Sequence, residues 1–204
     1  MLNKICRNYL WGGKAEYQKS PFISWSQTCS PKKYGGLGLK NLGAWNKACI
    51  AKTVWAIALK RDTLWVRWVH GRYIKHHDWM EYHPPNDSSW YWKKLVATKD
   101  LFKAGVTDRS SWQWQGQSKY TISQGYHWLL GEKEYKKWSK AIWASPVLPR
   151  HSSTAWFLIN RKLPVKSRLA KFMGQSFDMS CGLSGTEQED IDHLFFRCTW
   201  VTDL

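Results

Sequence analysis

The spacing of apolar residues predicts helices along most of the first 80 residues. Apolar side chains at 5, 9 and 10 recur at a helical interval and are followed by glycines at 12 and 13, which predicts a short first helix. The same periodicity runs over 41–60 and over 63–74, which predicts two further helices. In the last of these the side chains expected in the core are Leu64, Trp65, Trp68 and Val69.

The second half of the chain follows a polar, proline-containing stretch that predicts a boundary near residue 85. Helical patterns are predicted over 89–99, 123–130 with Ser123 as its N-cap, 138–144, 152–160 and 165–172. Alternating aromatic and polar residues on both sides of a glycine predict a small β-hairpin from 112–114 and 120–122. The predicted fold is therefore mainly α: a helical segment, 1–80, followed by a small α-rich domain with a short hairpin, 86–200.

Net charge is high and unevenly distributed. The 204 residues include 31 Lys and Arg against 15 Asp and Glu, a net charge of +16. Residues 1–75 hold 14 basic and two acidic side chains and residues 131–175 hold ten and two, whereas residues 176–204 hold one and six. A basic surface of this size favours a polyanionic partner, and nucleic acid is the one we expect on the two basic blocks.

Several classes of protein are disfavoured by the sequence. No apolar run is long enough for a membrane span, and residues 1–13 show no secretory signal, so a nuclear or cytoplasmic location without membrane contact is expected. Five cysteines at irregular spacing do not suggest a disulfide framework. The glycines at 35, 36 and 38 lack the Lys-Ser/Thr of a phosphate-binding loop and predict a tight turn.

The acidic tail carries the most specific chemistry. Cys181 is followed by a glycine-containing turn, and His193 and Cys198 stand in an H-x4-C spacing twelve residues further on. Thiolate and imidazole ligands at such spacing are typical of a zinc knuckle of the C-x2-C…H-x4-C type, which makes zinc the expected cofactor. The domain 86–200 is therefore predicted to be zinc-knuckle-like.

The fourth position of this ligand set is not a cysteine. Ser184 stands where the second Cys of a knuckle is expected, and a serine hydroxyl is a poor zinc ligand. Water, Glu187 or Asp190 could complete the set. The alternative is that both cysteines are ordinary thiols and His193 is a structural side chain.

The chain resembles the zinc-binding domain of reverse transcriptases encoded by plant LINE-type (non-LTR) retrotransposons. The string 192–198, Asp-His-Leu-Phe-Phe-Arg-Cys, is the most specific part of that likeness. The other matching pieces are Ser111-Trp112, 120–123, 155–158 and 162–169, and residues 22–48 resemble the region after the polymerase fingers and palm in the same proteins.

The resemblance implies a non-catalytic C-terminal fragment that binds template RNA or target DNA beside the polymerase part of the same element. The paired aspartates that hold catalytic metal ions in a polymerase do not occur in this sequence, which predicts that the chain is not itself an enzyme. The alternative function is a degenerate, metal-free interaction or scaffold module, or a transposon remnant without activity.

Basic residues interleaved with aromatic ones are the predicted nucleic-acid contacts. Cations neutralise phosphates, and exposed aromatic rings stack on unpaired bases. The candidate residues are Lys60, Arg61, Arg67, Arg72, Arg161, Lys162, Lys166, Arg168 and Lys171. Since the tail around the cysteines is acidic, we expect it to maintain structure rather than to grip phosphates.

Overall fold

A computed structural model describes residues 2–17, 20–108, 113–173 and 177–203. The mainly α prediction is confirmed. The helices are α1 (Leu2–Gly12), α2 (Trp25–Thr28), α3 (Leu42–Ala58), α4 (Leu64–Val69), α5 (Trp90–Lys103), α6 (Ile122–Leu130), α7 (Ser139–Ile142), α8 (Pro149–Ile159), α9 (Lys166–Met173) and α10 (Thr199–Thr202).

The chain divides into two compact units. Unit 1 comprises Met1–Lys19 and Leu39–Glu134, and unit 2 comprises Ser20–Gly38 and Tyr135–Leu204. This division differs from the predicted segments 1–80 and 86–200, because α3 packs against both α5 and α6 across the predicted boundary. It also differs because the short segment 20–38 packs with the C-terminal residues rather than with its sequence neighbours.

Polar side chains set the starts of several helices. Asn41 accepts a hydrogen bond from the backbone of Ala44, and Ser89 does the same for Trp92, which begins α3 and α5 where the sequence predicts. The N-cap of α6 is Thr121 rather than the predicted Ser123, since Thr121 forms a reciprocal capping box with Gln124. Helix α8 begins at 149 rather than 152 because a proline occupies its first turn.

A single short hairpin is present among the described residues, in unit 1. Strand β1 (Val106–Asp108) pairs antiparallel with β2 (Gln113–Trp114). The predicted pairing of 112–114 with 120–122 is wrong, and Trp112 lies outside the described residues. Tyr120 is instead buried in the core, where its hydroxyl donates to the backbone carbonyl of Ala48, so the chain enters α6 directly.

Helix α4 buries one of the four side chains predicted for the core, Val69, and exposes the other three. Val66 and Val69 are buried, and Val69 joins a core cluster with residues of α3 and α5. Leu64, Trp65 and Trp68 are exposed, with 80%, 39% and 53% of their surfaces accessible. Periodicity indicated a helix here, but it did not show which of two apolar faces packs on α3.

Unit 2 joins the segment 20–38 to α8. The indole Nε1 of buried Trp156 donates to the backbone carbonyl of Gly35 at 2.8 Å, and Gln27 donates to Asn160 at 2.6 Å. Gly36 is packed so closely that an added Cβ would overlap the carbonyl oxygen of Ser30. The glycine turn predicted at 35–38 therefore exists, and it serves packing within the unit that carries the cysteines.

The lengths of the helices show whether any of them could span a membrane. The longest helix, α3, has 17 residues. Across the part of the chain that the structure describes, no helix combines the length and apolarity that crossing a bilayer requires.

Gly36→Ala is predicted to destabilise the protein, because the new methyl group overlaps backbone that cannot rotate away. The expected loss is about 1–3 kcal/mol in the free energy of unfolding, measured by urea denaturation. The control is Gly43→Ala in α3, where an added Cβ meets only ordinary contacts and alanine favours the helix. Equal stability of the two variants would contradict the packing described for unit 2.

Candidate metal centre and basic groove

A tight loop holds Cys181 and Ser184 close together. Ser180 and Gln188 form an isolated antiparallel bridge, and Cys181 donates its backbone N–H to the carbonyl of Glu187 at 2.7 Å. Inside this bridge the N–H of Gly185 returns to the carbonyl of Cys181 at 2.9 Å. The turn needs a positive φ of 67° at Gly185, a conformation that glycine adopts without strain.

A single π-helical turn, His193–Arg197, brings the other two candidate ligands together. Residues five apart in an α-helix point about 140° apart, whereas a π-turn closes after five residues. The backbone N–H of Cys198 accordingly bonds to the carbonyl of His193 at 2.8 Å. The turn begins where the carboxylate of Asp190 accepts the backbone N–H of His193 at 2.6 Å. The H-x4-C spacing thus places both side chains on one side of the turn.

The three candidate ligands converge on one buried point. Cys181, His193 and Cys198 are each at most 2% exposed, and their ligand atoms lie within 4.8 Å of one another. The two Sγ atoms are 3.9 Å apart, close to the edge of about 3.8 Å expected for two thiolates on a tetrahedral zinc ion with Zn–S bonds of about 2.3 Å. Both cysteines are free thiols. Two thiols and an imidazole in this arrangement fit a zinc ion.

Ser184 lies beside two of the candidate ligands, His193 and Cys181. Its Oγ is 3.3 Å from Nε2 of His193, and a tetrahedral zinc ion would separate an oxygen and a nitrogen ligand by about 3.4 Å. The residue that replaces the expected cysteine therefore occupies the cysteine's place but offers a hydroxyl. Glu187 and Asp190, the alternatives for this position, instead bind other atoms of His193.

The orientation of His193 is fixed by Glu187. The carboxylate of Glu187 is 3.0 Å from Nδ1, which makes Nδ1 the protonated nitrogen and leaves Nε2 directed at the two thiols and Ser184. A carboxylate on the remote nitrogen is the usual support for a histidine that binds zinc through its other nitrogen.

The local electrostatics favour an ionised thiol. The pKa of Cys181 is lowered to about 6, chiefly by the backbone N–H of Ser184, then by the Ser184 hydroxyl, with further help from the N–H of Leu183 and from His193. Burial opposes protonation of His193, but its hydrogen bonds to Cys181 and Glu187 outweigh burial and raise the imidazole pKa. Without a metal, Cys181 and His193 are hydrogen-bonded to each other, and a metal cation would replace that contact.

A groove of about 670 Å³ lies in unit 2 beside the tail. The basic residues that line it are Arg161, Lys162, Arg168 and Lys171, four of the five predicted nucleic-acid contacts in this half of the chain. The lining also includes Asp190 and Asp192, which stand three residues and one residue before His193. The metal-ligand turn and the basic groove therefore share a segment of backbone.

Two of the predicted contacts are engaged inside the protein. Arg161 forms a two-pronged pair with Asp192 at 2.9 and 3.2 Å, which holds the pKa of that carboxyl below its usual range. Lys166 donates to the carbonyl of Ser180 at 2.8 Å and lies 3.5 Å from Asp178. Both residues tie the basic segment to the cysteine tail, a role that charge counting did not reveal.

The predicted contacts in unit 1 surround α4. Lys60, Arg61, Arg67 and Arg72 are all exposed. Arg67 lies 3.3 Å from Asp62, an ion pair in which both side chains are largely in solvent. The role of these residues and of the groove in nucleic-acid binding stays a prediction.

Comparison with known proteins identifies the C-terminal part of the chain. Residues 120–204 match the family model described as zinc-binding in reverse transcriptase. An Arabidopsis thaliana protein with a provisional ribonuclease H name is 32% identical over 110 residues, and an uncharacterized mitochondrial protein of the same plant is 27% identical over 106 residues. No solved structure matches the chain.

The coverage of these matches is unequal. Each relative aligns with 52% of this chain, but the alignment spans 17% of the first relative and 69% of the second. The chain therefore corresponds to a small part of the protein named for ribonuclease H. The predicted resemblance to the reverse-transcriptase zinc-binding family is confirmed for residues 120–204.

Ser184→Cys is predicted to tighten metal binding by at least about tenfold, because it supplies a thiolate at the fourth corner of the tetrahedron. Titration with cobalt(II), followed by its absorption spectrum, measures both affinity and the number of thiolate ligands. The matched control is Ser153→Cys, which adds a thiol on an exposed part of α8. Unchanged affinity in Ser184→Cys, or full affinity in Cys198→Ala, would contradict the assigned ligand set.

Metal affinity is also predicted to depend on pH. Above about pH 6 Cys181 is a thiolate, whereas below it protons compete with the metal for Cys181 and for His193, whose pKa is raised. Zinc affinity should therefore fall as the pH drops through 6, by about tenfold per pH unit for each ligand that takes up a proton. Competition with a chromophoric chelator between pH 5 and pH 8 measures this, and a flat profile would be inconsistent with these ligands.

Proposed function

We propose, from the match of residues 120–204 to the zinc-binding region of reverse transcriptases, that this chain is a non-catalytic, nucleic-acid-binding part of a retrotransposon reverse-transcriptase protein. Its partner is the template RNA or target DNA on which a polymerase domain of the same element acts. Zinc at Cys181, His193 and Cys198 has a structural role. The observation that carries the proposal is the basic groove formed beside the metal-ligand turn.

The cations of the groove suit a phosphate backbone. Lys162 and Lys171 form no ion pair with another described residue, and Lys171 is exposed. The guanidinium of Arg168 donates to the carbonyl of Arg161, which leaves its charge unneutralised. Three cations that line one groove can contact neighbouring phosphates, and each contact releases a counterion.

An exposed aromatic ring lies among these cations. Phe172 lines the groove and is 83% exposed, although a phenyl ring is ordinarily buried. A base that leaves the helical stack can rest on such a ring, so the groove combines the two interactions used by proteins that bind unpaired nucleic acid.

The tail is proposed to hold the groove in shape rather than to touch phosphate. Residues 176–204 carry six acidic and one basic side chain, which would repel a polyanion. Asp192 binds Arg161, and Glu189 accepts the backbone N–H of Lys166 at 3.1 Å. A metal ion that fixes His193 would therefore also fix the residues just before it, 190–192, which line the groove.

Absence of catalysis is part of the proposal. Polymerases and ribonucleases H need closely placed carboxylates to hold two metal ions. Within the described residues, the one group of three or more Cys, His, Asp or Glu side chains close enough to hold a metal is Cys181, His193 and Cys198, and its donors are mainly sulfur. One relative carries a ribonuclease H name, but the aligned part is 17% of that protein.

A second candidate function is favoured by Ser184. Its hydroxyl lies within hydrogen-bonding distance of His193 Nε2, and this contact satisfies the imidazole without a metal. In that case the chain would be a metal-free interaction module or an inactive remnant. Nucleic-acid binding that persists unchanged after complete chelation of metals would favour the metal-free module, and loss of binding would favour the zinc-dependent one.

Lys162→Ala/Lys171→Ala is predicted to weaken binding of RNA and to lower the slope of log affinity against log salt by about two, because two phosphate contacts are lost. Fluorescence anisotropy of a labelled RNA over a range of salt concentrations measures this. The charge-matched control, Lys94→Ala/Lys119→Ala, removes two exposed lysines from the nearly neutral block 76–130. An equal change in both variants would show that net charge alone, and not the groove, determines binding.

A further inference from the structure

We infer that α4 in unit 1 carries a stacking platform for unpaired bases, and that this second site gives the chain a preference for single-stranded nucleic acid. The platform consists of Leu64, Trp65 and Trp68. The inference rests on the proposed function, because it specifies the form of nucleic acid that this chain binds. It concerns residues outside the part that matches the reverse-transcriptase zinc-binding family.

The exposure of these side chains is unusual for their type. Leu64 is 80% exposed and Trp68 is 53% exposed, and the two lie one helical turn apart on α4. Trp65, 39% exposed, adjoins them. Large apolar side chains grouped on a surface mark an interaction site more often than scattered ones do.

The ring of Trp68 is held in place by other aromatic rings, although about half of its surface is exposed. Its ring meets the edge of Tyr73 at a centroid distance of 5.4 Å, and Tyr73 stacks on buried Trp92 at 4.5 Å. His70 anchors the end of the helix by a 2.9 Å contact between Nε2 and the carbonyl of Ile57 in α3. Because these ring contacts already fix the indole, Trp68 loses little additional side-chain entropy when a base stacks on it.

Cations lie near the platform in sequence, and their positive charge favours a polyanionic ligand there. Lys60 and Arg61 precede the three apolar residues in sequence, Arg67 stands between Trp65 and Trp68, and Arg72 follows. All four cations are exposed. Asp62 is the one carboxylate in this stretch, and its pairing with Arg67 is between exposed groups, which contributes little and yields readily to a phosphate. An apolar, aromatic surface with basic residues around it fits bases and their phosphates. A surface that binds an ordinary protein would be expected to carry charges of both signs at its rim.

The geometry favours single strands over duplexes. Stacking on an indole requires a base whose face is open, and in a duplex those faces are occupied by neighbouring base pairs. The cations alone would bind both forms, since phosphates are common to both. The indole is therefore the element that discriminates between them.

Trp68→Ala in the full chain tests the inference. The probes are a fluorescein-labelled, unstructured RNA of about 12 nucleotides and the duplex that it forms with its complement, both measured by anisotropy. Affinity for the single strand should fall roughly 5- to 150-fold, the loss expected for one stacked base, while affinity for the duplex changes less than about twofold. Trp68→Phe, which keeps an aromatic face, should retain most of the binding.

Trp200→Ala is the matched control, because Trp200 is 63% exposed but lies in the acidic tail, and it should leave both affinities unchanged. Circular dichroism establishes that each variant remains folded. If Trp68→Ala binds the single strand like the wild type while Lys162→Ala/Lys171→Ala does not, the platform is refuted and the proposed function stands; the face of α4 would then be free to bind protein. Equal losses for single strand and duplex would also refute stacking. Failure of the wild type to bind either RNA would refute the inference and the proposed function together.

Discussion

The convergence of Cys181, His193 and Cys198 on one buried point is the constraint on which the C-terminal unit depends. Residues 177–203 contain short helical turns and an isolated bridge, and too few apolar side chains for a core of their own. The loop 180–188 is held to the turn His193–Arg197 by the contact between two thiols and an imidazole and by the hydrogen bonds of Glu187 and Ser184 to His193. A metal ion there would convert three weak contacts into coordinate bonds, and in small domains of this kind the free energy of metal binding contributes directly to folding.

The same constraint reaches the proposed binding surface through neighbouring residues. Asp190 and Asp192 stand shortly before His193 in sequence. Asp190 accepts the backbone N–H of His193, where the π-turn begins, and Asp192 binds Arg161, which lines the groove. The acidic tail and the basic groove therefore form one structure, in which a tail carboxylate, that of Asp192, orders a groove cation, Arg161.

The surface proposed in unit 1 is of a different kind, because its selectivity would come from rigid aromatic rings rather than from ordered cations. A basic protein that recognised only charge would not discriminate between nucleic acids, and in the proposed function the aromatic side chains would provide that discrimination.

Much of this architecture follows from local sequence, and the failures have physical reasons. Helices α3, α5 and α9 were predictable because their apolar residues recur at 3.6-residue spacing and because Asn41 and Ser89 cap two of them. The grouping of Cys181, His193 and Cys198 was predictable because their spacing in sequence is a local property. The face of α4 was not, since Val66 and Trp68 are both apolar and only tertiary packing chooses between them. The hairpin was misplaced for a similar reason, because burial of Tyr120 against α3 outweighed its strand propensity. The role of Glu187 required the fold of the loop, which carries its carboxylate back to His193.

Metal binding at Cys181, His193 and Cys198 is expected to order the loop 180–188 and the turn His193–Arg197 as one structure. Amide hydrogen exchange of the full chain, measured with one equivalent of zinc and again after chelation, tests it most directly. Zinc is expected to slow exchange selectively at Leu183, whose N–H points at the sulfur of Cys181, and at Cys198, whose N–H closes the π-turn. The amides of α3 in unit 1 should exchange at the same rate in both states. Identical exchange at Leu183 and Cys198 with and without zinc would contradict the account.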